Sequence, residues 1–158
     1  MKGLIFDMDG VLIDSSQSYD RTIKETVRFF TNGTIVQKEI ESIRLEGGFN
    51  NDWDLCDALL QRRGFYLSKQ AIIDRFQLTY REYFYKDEQW LLRSEIIENL
   101  KTRYRTGIVS GRPVDEIVQS LERFRMAHCF DCIVGMEDVL KPKPDPEQLH
   151  LIMEKFDL

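Results

Sequence analysis

The chain has 158 residues, of which 42% are hydrophobic and 31% charged, a composition typical of a folded globular protein. Its net charge of −5 disfavours nucleic acid as a partner, because an acidic surface repels a phosphate backbone. The start lacks a signal-peptide core, no apolar run approaches the roughly 20 residues of a membrane span, and the cysteine number is odd. We therefore expect a cytoplasmic protein without a membrane partner.

The amino-terminal end begins with a strand and a helix. The apolar run Leu4-Ile5-Phe6 predicts a buried parallel strand that ends at Asp7. Gly10 permits a sharp turn, and the cluster 14–16 is suited to cap a helix. That helix is predicted from apolar side chains at helical spacing: Tyr19, Ile23, Val27 and Phe30.

The middle of the chain, from about 31 to 88, has no convincing strand. Its apolar and aromatic residues recur at helical spacing, for example Leu55 with Leu59 and Ile72 with Phe76. We interpret them as the core of a helical insertion, which predicts a core of 1–15 with 89–158 and a helical cap of 16–88.

The carboxyl-terminal half alternates strands and helices. Strands are predicted at 107–109 and 132–134, and a final helix has Asp145 as its N-cap and Pro146 as its first residue. This alternation predicts an α/β fold, a Rossmann-like parallel sheet with an inserted α-helical cap. The carboxyl ends of its strands would bring Asp7, Ser110 and Lys141 to one rim.

Asp7 and Asp9 are the first candidates for chemistry. In extended chain, side chains two residues apart point to the same side, and two carboxylates held so close repel each other unless a cation or a proton separates them. Mg²⁺ suits this role because it prefers oxygen ligands. The pattern Asp-X-Asp-Gly also occurs in ordinary turns and in calcium loops, but the apolar residues 11–13 argue against a calcium loop.

Three segments together resemble the motifs of the haloacid dehalogenase superfamily. The segment 6–15, FDMDGVLIDS, is similar to its first motif, and 108–111, IVSG, to its second. The third is similar to 141–146, KPKPDP, and the helical insertion occupies the position of that family's cap. The resemblance covers essentially the whole chain and implies hydrolysis of a small-molecule phosphate monoester.

The resemblance also assigns roles. It implies that Asp7 is the nucleophile that forms an aspartyl-phosphate, and that Asp9 is the acid and base whose backbone carbonyl helps to bind Mg²⁺. Ser110 would donate a hydrogen bond to a phosphoryl oxygen. Lys141 would neutralise the nucleophile, in preference to Lys143, because the family's lysine directly precedes Pro-X-Pro.

The family's fourth motif, which supplies acidic metal ligands on a further strand, has no counterpart after Lys141. Glu137 and Asp138 are the possible substitutes, against the ordinary interpretation of a solvated acid pair. Without that further strand, 4–6 would form a bare apolar sheet edge, which invites pairing with another chain. We therefore expect either a truncated form of a longer protein or a homodimer through this edge.

Substrate contacts are expected in the turns after the first two strands and in a glycine-rich cap loop. The turns offer Gly10, Gly111 and Arg112, of which Arg112 either reaches a second anion or is a solvated surface residue. The loop at 47–53 offers Asn50, Asn51 and Trp53. The alternative for this loop is a helix start with Asn51 or Asp52 as its cap and Trp53 in the cap core.

A C-x-x-C pattern at Cys129 and Cys132 would need further ligands to bind zinc. None is evident from the sequence, so we interpret these cysteines as buried and inert.

The main function expected is thus a magnesium-dependent phosphatase whose partner is a small phosphorylated metabolite. The alternatives are a catalytically incomplete domain that binds phosphate or a partner protein, and a phosphomutase that uses the same aspartyl-phosphate.

Overall fold

A computed structural model describes residues 2–47, 49 and 51–157, with the backbone alone at 83–85. The chain forms two compact units, the first made of Met1–Asp14 with Gln89–Leu158 and the second of Ser15–Glu88.

The first unit is built on a three-stranded parallel sheet. Its strands are β1 (Gly3–Phe6), β4 (Arg105–Val109) and β5 (Cys132–Val134), in the order β1-β4-β5. Phe6 pairs with Ile108, and Val109 pairs with Val134, so the three strands end at nearly the same level. β1 lies at an edge of this sheet and its residues are only half-buried, as expected for a strand with one partner.

Helices cover both faces of the sheet. Since successive residues of a strand point to opposite sides, neighbouring residues of β4 pack against different helices. Ile108 packs in a cluster with residues of α5 (Ser94–Lys101) and α6 (Val114–Arg123). Val109 packs in a second cluster with Ile152 and Phe156, in and just after α7 (Glu147–Lys155). This arrangement confirms the predicted Rossmann-like α/β fold.

Gly107 allows α7 to approach the central strand closely. A Cβ atom at this position would lie 2.6 Å from Cδ1 of Ile152 and 2.8 Å from Cζ of Phe156. A larger residue would push the last helix away from the sheet.

Two details differ from the prediction. A short antiparallel pair joins β2 (Ile13–Asp14) to β3 (Gln89–Trp90), where the chain leaves the first unit and returns to it. The last helix begins at Glu147, one residue later than predicted, and the Asp145 carboxylate accepts the Glu147 N–H at 3.1 Å.

The second unit is helical, and its described residues include no strand. Its helices pack around one apolar cluster that contains Ile23, Leu59 and Phe76. Tyr19 stacks on Phe76 and Tyr80, which confirms that these aromatic residues form core. The helices are α1 (Ser16–Thr31), α2 (Gln37–Glu46), α3 (Asp52–Gln61) and α4 (Lys69–Thr79).

In the described part of both units, no helix has the length and apolar character needed to cross a membrane.

Candidate active site

Asp7 and Lys143 form the centre of the candidate site. Asp7 directly follows β1, and Lys143 lies in the loop that leads to α7. The Lys143 Nζ donates to Asp7 Oδ1 at 2.9 Å and to the Val109 carbonyl at 2.9 Å. The Asp7 Oδ1 also accepts the Met8 N–H at 2.8 Å, so both contacts use Oδ1 rather than Oδ2.

The structure brings Lys143, rather than the expected Lys141, to Asp7. The backbone N–H of Lys141 donates to the Glu147 carboxylate at 2.9 Å, whereas the lysine that reaches Asp7 is Lys143. The sequence misled because Lys-Pro-X-Pro occurs twice here, from 141 to 144 and from 143 to 146. The Glu147 carboxylate accepts the N–H groups of Leu140 and Lys141, which ties this segment to the start of α7.

Asp9 is paired with Arg112. The Arg112 Nε donates to both oxygens of Asp9, at 3.1 and 2.9 Å, and a terminal nitrogen of the guanidinium also contacts Oδ1. Another terminal nitrogen donates to Ser120 Oγ at 3.2 Å. Only 2% of the Arg112 side chain is exposed, against 37% for Asp9. Arg112 is therefore not a solvated surface residue, and its guanidinium is committed to Asp9.

Each acid of the pair thus has its own cation in the protein. Lys143 balances Asp7 and Arg112 balances Asp9, so repulsion between the two carboxylates does not by itself demand a metal. Their predicted placement on one side is reflected in burial: Met8, between them, is fully buried, whereas both acids retain exposure.

The turn after Asp9 requires a glycine. Gly10 has a φ of +73°, a left-handed conformation that costs other residues about 1–2 kcal/mol. The N–H groups of Leu12 and Ile13 then donate to the Met8 carbonyl, at 2.9 and 3.0 Å. Gly10 therefore shapes the loop that carries Asp9, which is its clearest role.

Ser110 directly follows β4, next to the carbonyl that Lys143 contacts. It is fully buried, and its Oγ accepts the Arg112 N–H at 3.1 Å. Its carbonyl accepts from Gln148 Nε2 at 2.8 Å, which ties the turn to α7. Gly111 lies between Ser110 and Arg112, and a Cβ atom there would meet no atom within 4 Å. Ser110 thus positions the Arg112 backbone in this structure.

The residues proposed from the cap loop lie in the second unit. Asn51 is the N-cap of α3, and its side chain accepts the Asp54 N–H at 2.9 Å. Trp53 packs against the apolar cluster of that unit. These contacts match the structural alternative given for the loop, and Asn50 lies outside the described residues.

The donors at Asp7 and Asp9 fit Mg²⁺ in part. The Asp7 carboxylate is half-exposed, and its contacts with Lys143 and the Met8 N–H both use Oδ1 rather than Oδ2. Carboxylate oxygens are ligands that Mg²⁺ prefers. Across the described positions, no third acid, histidine or cysteine forms a close ligand group with the pair. Glu137 and Asp138, the possible substitutes, accept the N–H groups of Val114 and Gly135 at 2.8 and 2.9 Å.

A cleft of about 480 Å³ opens beside this site and is lined by residues of β1, of the loop 143–146 and of α7. Its lining includes the acid and lysine of the site together with apolar side chains: Ile5, Phe6, Asp7, Lys143 and Leu149. Asp7 is therefore accessible to a molecule of small-metabolite size.

The chain belongs to the haloacid dehalogenase-like hydrolase family, which matches residues 4–158. Three motifs in the family's order, a parallel sheet, and an acid–lysine pair at the strand ends agree with this assignment.

Among curated proteins, the chain is similar to an imidazoleglycerol-phosphate dehydratase of Phytophthora nicotianae, with 28% identity over 165 residues that cover 98% of this chain and 36% of that protein. It is 24% identical to the pyrophosphatase PpaX of Bacillus velezensis over 162 residues, covering 97% of this chain and 68% of that protein. Among solved structures, the fold is similar to phosphatase Tt82 of Thermococcus thioreducens, with a TM-score of 0.77, 24% identity, and coverage of 95% and 78%. The chain thus spans about a third of the first relative and two thirds of the second.

Proposed function

We propose that this chain carries the nucleophile and its supporting groups for magnesium-dependent hydrolysis of a small phosphate monoester. The observation that carries the proposal is the 2.9 Å contact between Lys143 Nζ and Asp7 Oδ1, at the carboxyl end of the first strand. An ammonium group held there stabilises the carboxylate before attack and the phosphoryl oxygens as charge develops on them.

In the first step, Asp7 Oδ2 attacks phosphorus, an O–P bond forms, and the bond to the leaving oxygen breaks. The Asp9 carboxyl group gives its proton to that oxygen. In the second step, the Asp9 carboxylate takes a proton from water, which attacks phosphorus and releases Asp7 and phosphate.

The pairing of Asp9 with Arg112 adds a requirement to this scheme. A bidentate guanidinium fork binds a carboxylate, not a carboxylic acid, so the pair as observed suits the second step. For the first step, Asp9 must loosen from Arg112 and acquire a proton. We expect substrate binding to shift Asp9 in this way.

Asp7 and the Asp9 backbone carbonyl would hold Mg²⁺, which when bound supplies positive charge for the transferring phosphoryl group. Arg112 and Lys143 contribute fixed positive charge at the same rim, and Ser110 is the candidate hydrogen-bond donor to a phosphoryl oxygen.

The substrate is a small phosphorylated metabolite in this proposal. The pyrophosphatase relatives make inorganic pyrophosphate one compound to include in a substrate screen. A cytoplasmic location and a homodimer through the β1 edge complete the proposal.

The test measures phosphate release from an aryl phosphate and from pyrophosphate, with and without Mg²⁺, by the wild type and by Asp7→Asn. Turnover that needs Mg²⁺ and vanishes in Asp7→Asn supports the proposal. Phosphate binding by a folded chain without turnover indicates the catalytically incomplete domain instead. Activity that appears only with a bisphosphate primer indicates a phosphomutase.

A further inference from the structure

A second cluster of ligand groups lies in the first unit, away from Asp7. It joins Glu98 of α5 to His128 and Cys129, in the short turn before β5. The Cys129 Sγ lies 3.4 Å from His128 Nε2, which lies 3.7 Å from Glu98 Oε1. In the described part of the chain, this is the one group of three such residues whose ligand atoms all lie within 4.8 Å of one another.

The two separations that involve His128 are close to those around a tetrahedral zinc ion. Bond lengths of about 2.3 Å to sulfur and about 2.05 Å to nitrogen or oxygen place sulfur and nitrogen about 3.6 Å apart and nitrogen and oxygen about 3.4 Å apart. The observed distances of 3.4 and 3.7 Å differ from these values by about 0.2–0.3 Å. The third separation, between the Cys129 sulfur and the Glu98 carboxylate, is within 4.8 Å, so these two atoms need to approach each other by at most about 1.2 Å to share an ion with His128.

The cluster lies at the end of the sheet where the strands begin, whereas Asp7 lies at the end where they finish. α5 leads into the start of β4, and the turn 127–129 leads into the start of β5. Its ligands therefore lie at the amino ends of the strands, whereas Asp7 and Ser110 follow the carboxyl ends. The cluster is accordingly separate from the residues of the proposed phosphatase site.

The surroundings allow access on one side and hold the cysteine on the other. Cys129 is fully buried and its carbonyl accepts from the Thr106 hydroxyl, whereas the side chains of Glu98 and His128 are more than half exposed. Lys101 is the neighbouring cation, but its Nζ contacts Asp131 Oδ1 at 3.2 Å and the His128 carbonyl. Its charge is thus largely balanced within the same group of residues.

Burial and the nearby Glu98 carboxylate raise the pKa of the Cys129 thiol, while Lys101 lowers it.

We propose that Cys129, His128 and Glu98 form a binding site for Zn²⁺, with water as the fourth ligand. On binding, the Cys129 S–H loses its proton to solvent and the thiolate, the neutral imidazole Nε2 and the carboxylate each donate an electron pair to the ion. The mixed sulfur, nitrogen and oxygen set selects zinc over magnesium, which prefers oxygen. The ion would tie α5 to the turn before β5.

The test titrates the metal-free chain with Co²⁺ as a spectroscopic probe and then displaces it with Zn²⁺. One bound ion per chain with a thiolate-to-metal charge-transfer band is expected. Cys129→Ser should remove the band, and His128→Ala and Glu98→Gln should each weaken binding by at least about tenfold. Zn²⁺ should raise the melting temperature of the wild type more than that of these variants.

Cys132→Ser and His150→Ala are the matched controls and should bind as the wild type does. A wild type without the charge-transfer band, or a band that survives Cys129→Ser, would overturn the proposal. Because His128 and Glu98 are exposed, their variants keep the test decisive even if Cys129→Ser fails to fold.

Discussion

Replacing Lys143 by methionine should abolish most of the proposed activity, whereas the same change at Lys141 should not. Of the two lysines, Lys143 is the one that contacts Asp7, and its Nζ also donates to the Val109 carbonyl. Lys141 uses its backbone N–H, which methionine retains, to bind Glu147. The two lysines share the same local sequence, so Lys141→Met is a closely matched control.

The expected magnitudes separate catalysis from stability. Loss of a group that stabilises developing charge lowers kcat by roughly 100- to 1,000-fold. The folded protein should lose little, because Lys143 and Asp7 are 41% and 47% exposed and such a pair contributes at most about 1 kcal/mol. That corresponds to a decrease in melting temperature of less than about 4 °C for a chain of this size.

The assay is Mg²⁺-dependent phosphate release, accompanied by thermal unfolding and by titration calorimetry with inorganic phosphate. Calorimetry provides a second measure, since Lys143→Met should weaken phosphate binding even when turnover is slow. Equal loss in both variants, or loss in Lys141→Met alone, would refute the assignment of Lys143.

Three further changes test other parts of the structure. Arg112→Lys keeps the charge but loses the planar fork on Asp9, so kcat should fall and urea unfolding should show a loss of about 1.5–3 kcal/mol; an unchanged kcat would contradict the positioning role. Gly107→Ala should destabilise the fold by about 1–3 kcal/mol in the same measurement, because its Cβ would overlap the last helix; equal stability would show that the helix adapts freely. The Val36 N–H, and after it Arg63, lowers the pKa of Glu39, so its stabilisation is present above the ordinary pKa of a glutamate and is lost as the pH falls through the lowered value. The difference in melting temperature between the wild type and Glu39→Gln should therefore be larger at pH 7 than at pH 3, and a difference independent of pH would argue against the charge.

The sequence was sufficient to predict the sheet because its signals are local. The runs at 4–6, 107–109 and 132–134 are short, apolar and followed by turn residues, and each forms a strand. The two-residue strands at 13–14 and 89–90 carry no such signal, since their pairing depends on where the two crossings of the chain meet.

The site was harder to predict because its partners are remote in sequence. Asp7 meets a lysine 136 positions away, and Asp9 meets an arginine 103 positions away. A repeated Lys-Pro-X-Pro pattern gives two equivalent candidates, and the contact of Lys143 Nζ with Asp7 distinguishes them. From the sequence, the charge of Arg112 suggested contact with either solvent or substrate. Its burial and its contacts with Asp9 and Ser120 are visible only in the folded structure.

The parallel sheet explains how one unit presents two separate clusters of chemistry. In a parallel sheet, the residues that follow the strands all lie at one end, and Asp7 and Ser110 are at this end. The residues that precede the strands lie at the opposite end. Cys129 and His128 precede β5, and Glu98 lies on the helix that precedes β4, so the same topology that forms the first cluster also forms the second. The C-x-x-C pattern gave no sign of this, because the third ligand comes from a helix about 30 residues earlier rather than from the second cysteine. Cys132→Ser is therefore the variant that most directly distinguishes the ligand set in space from the motif in sequence.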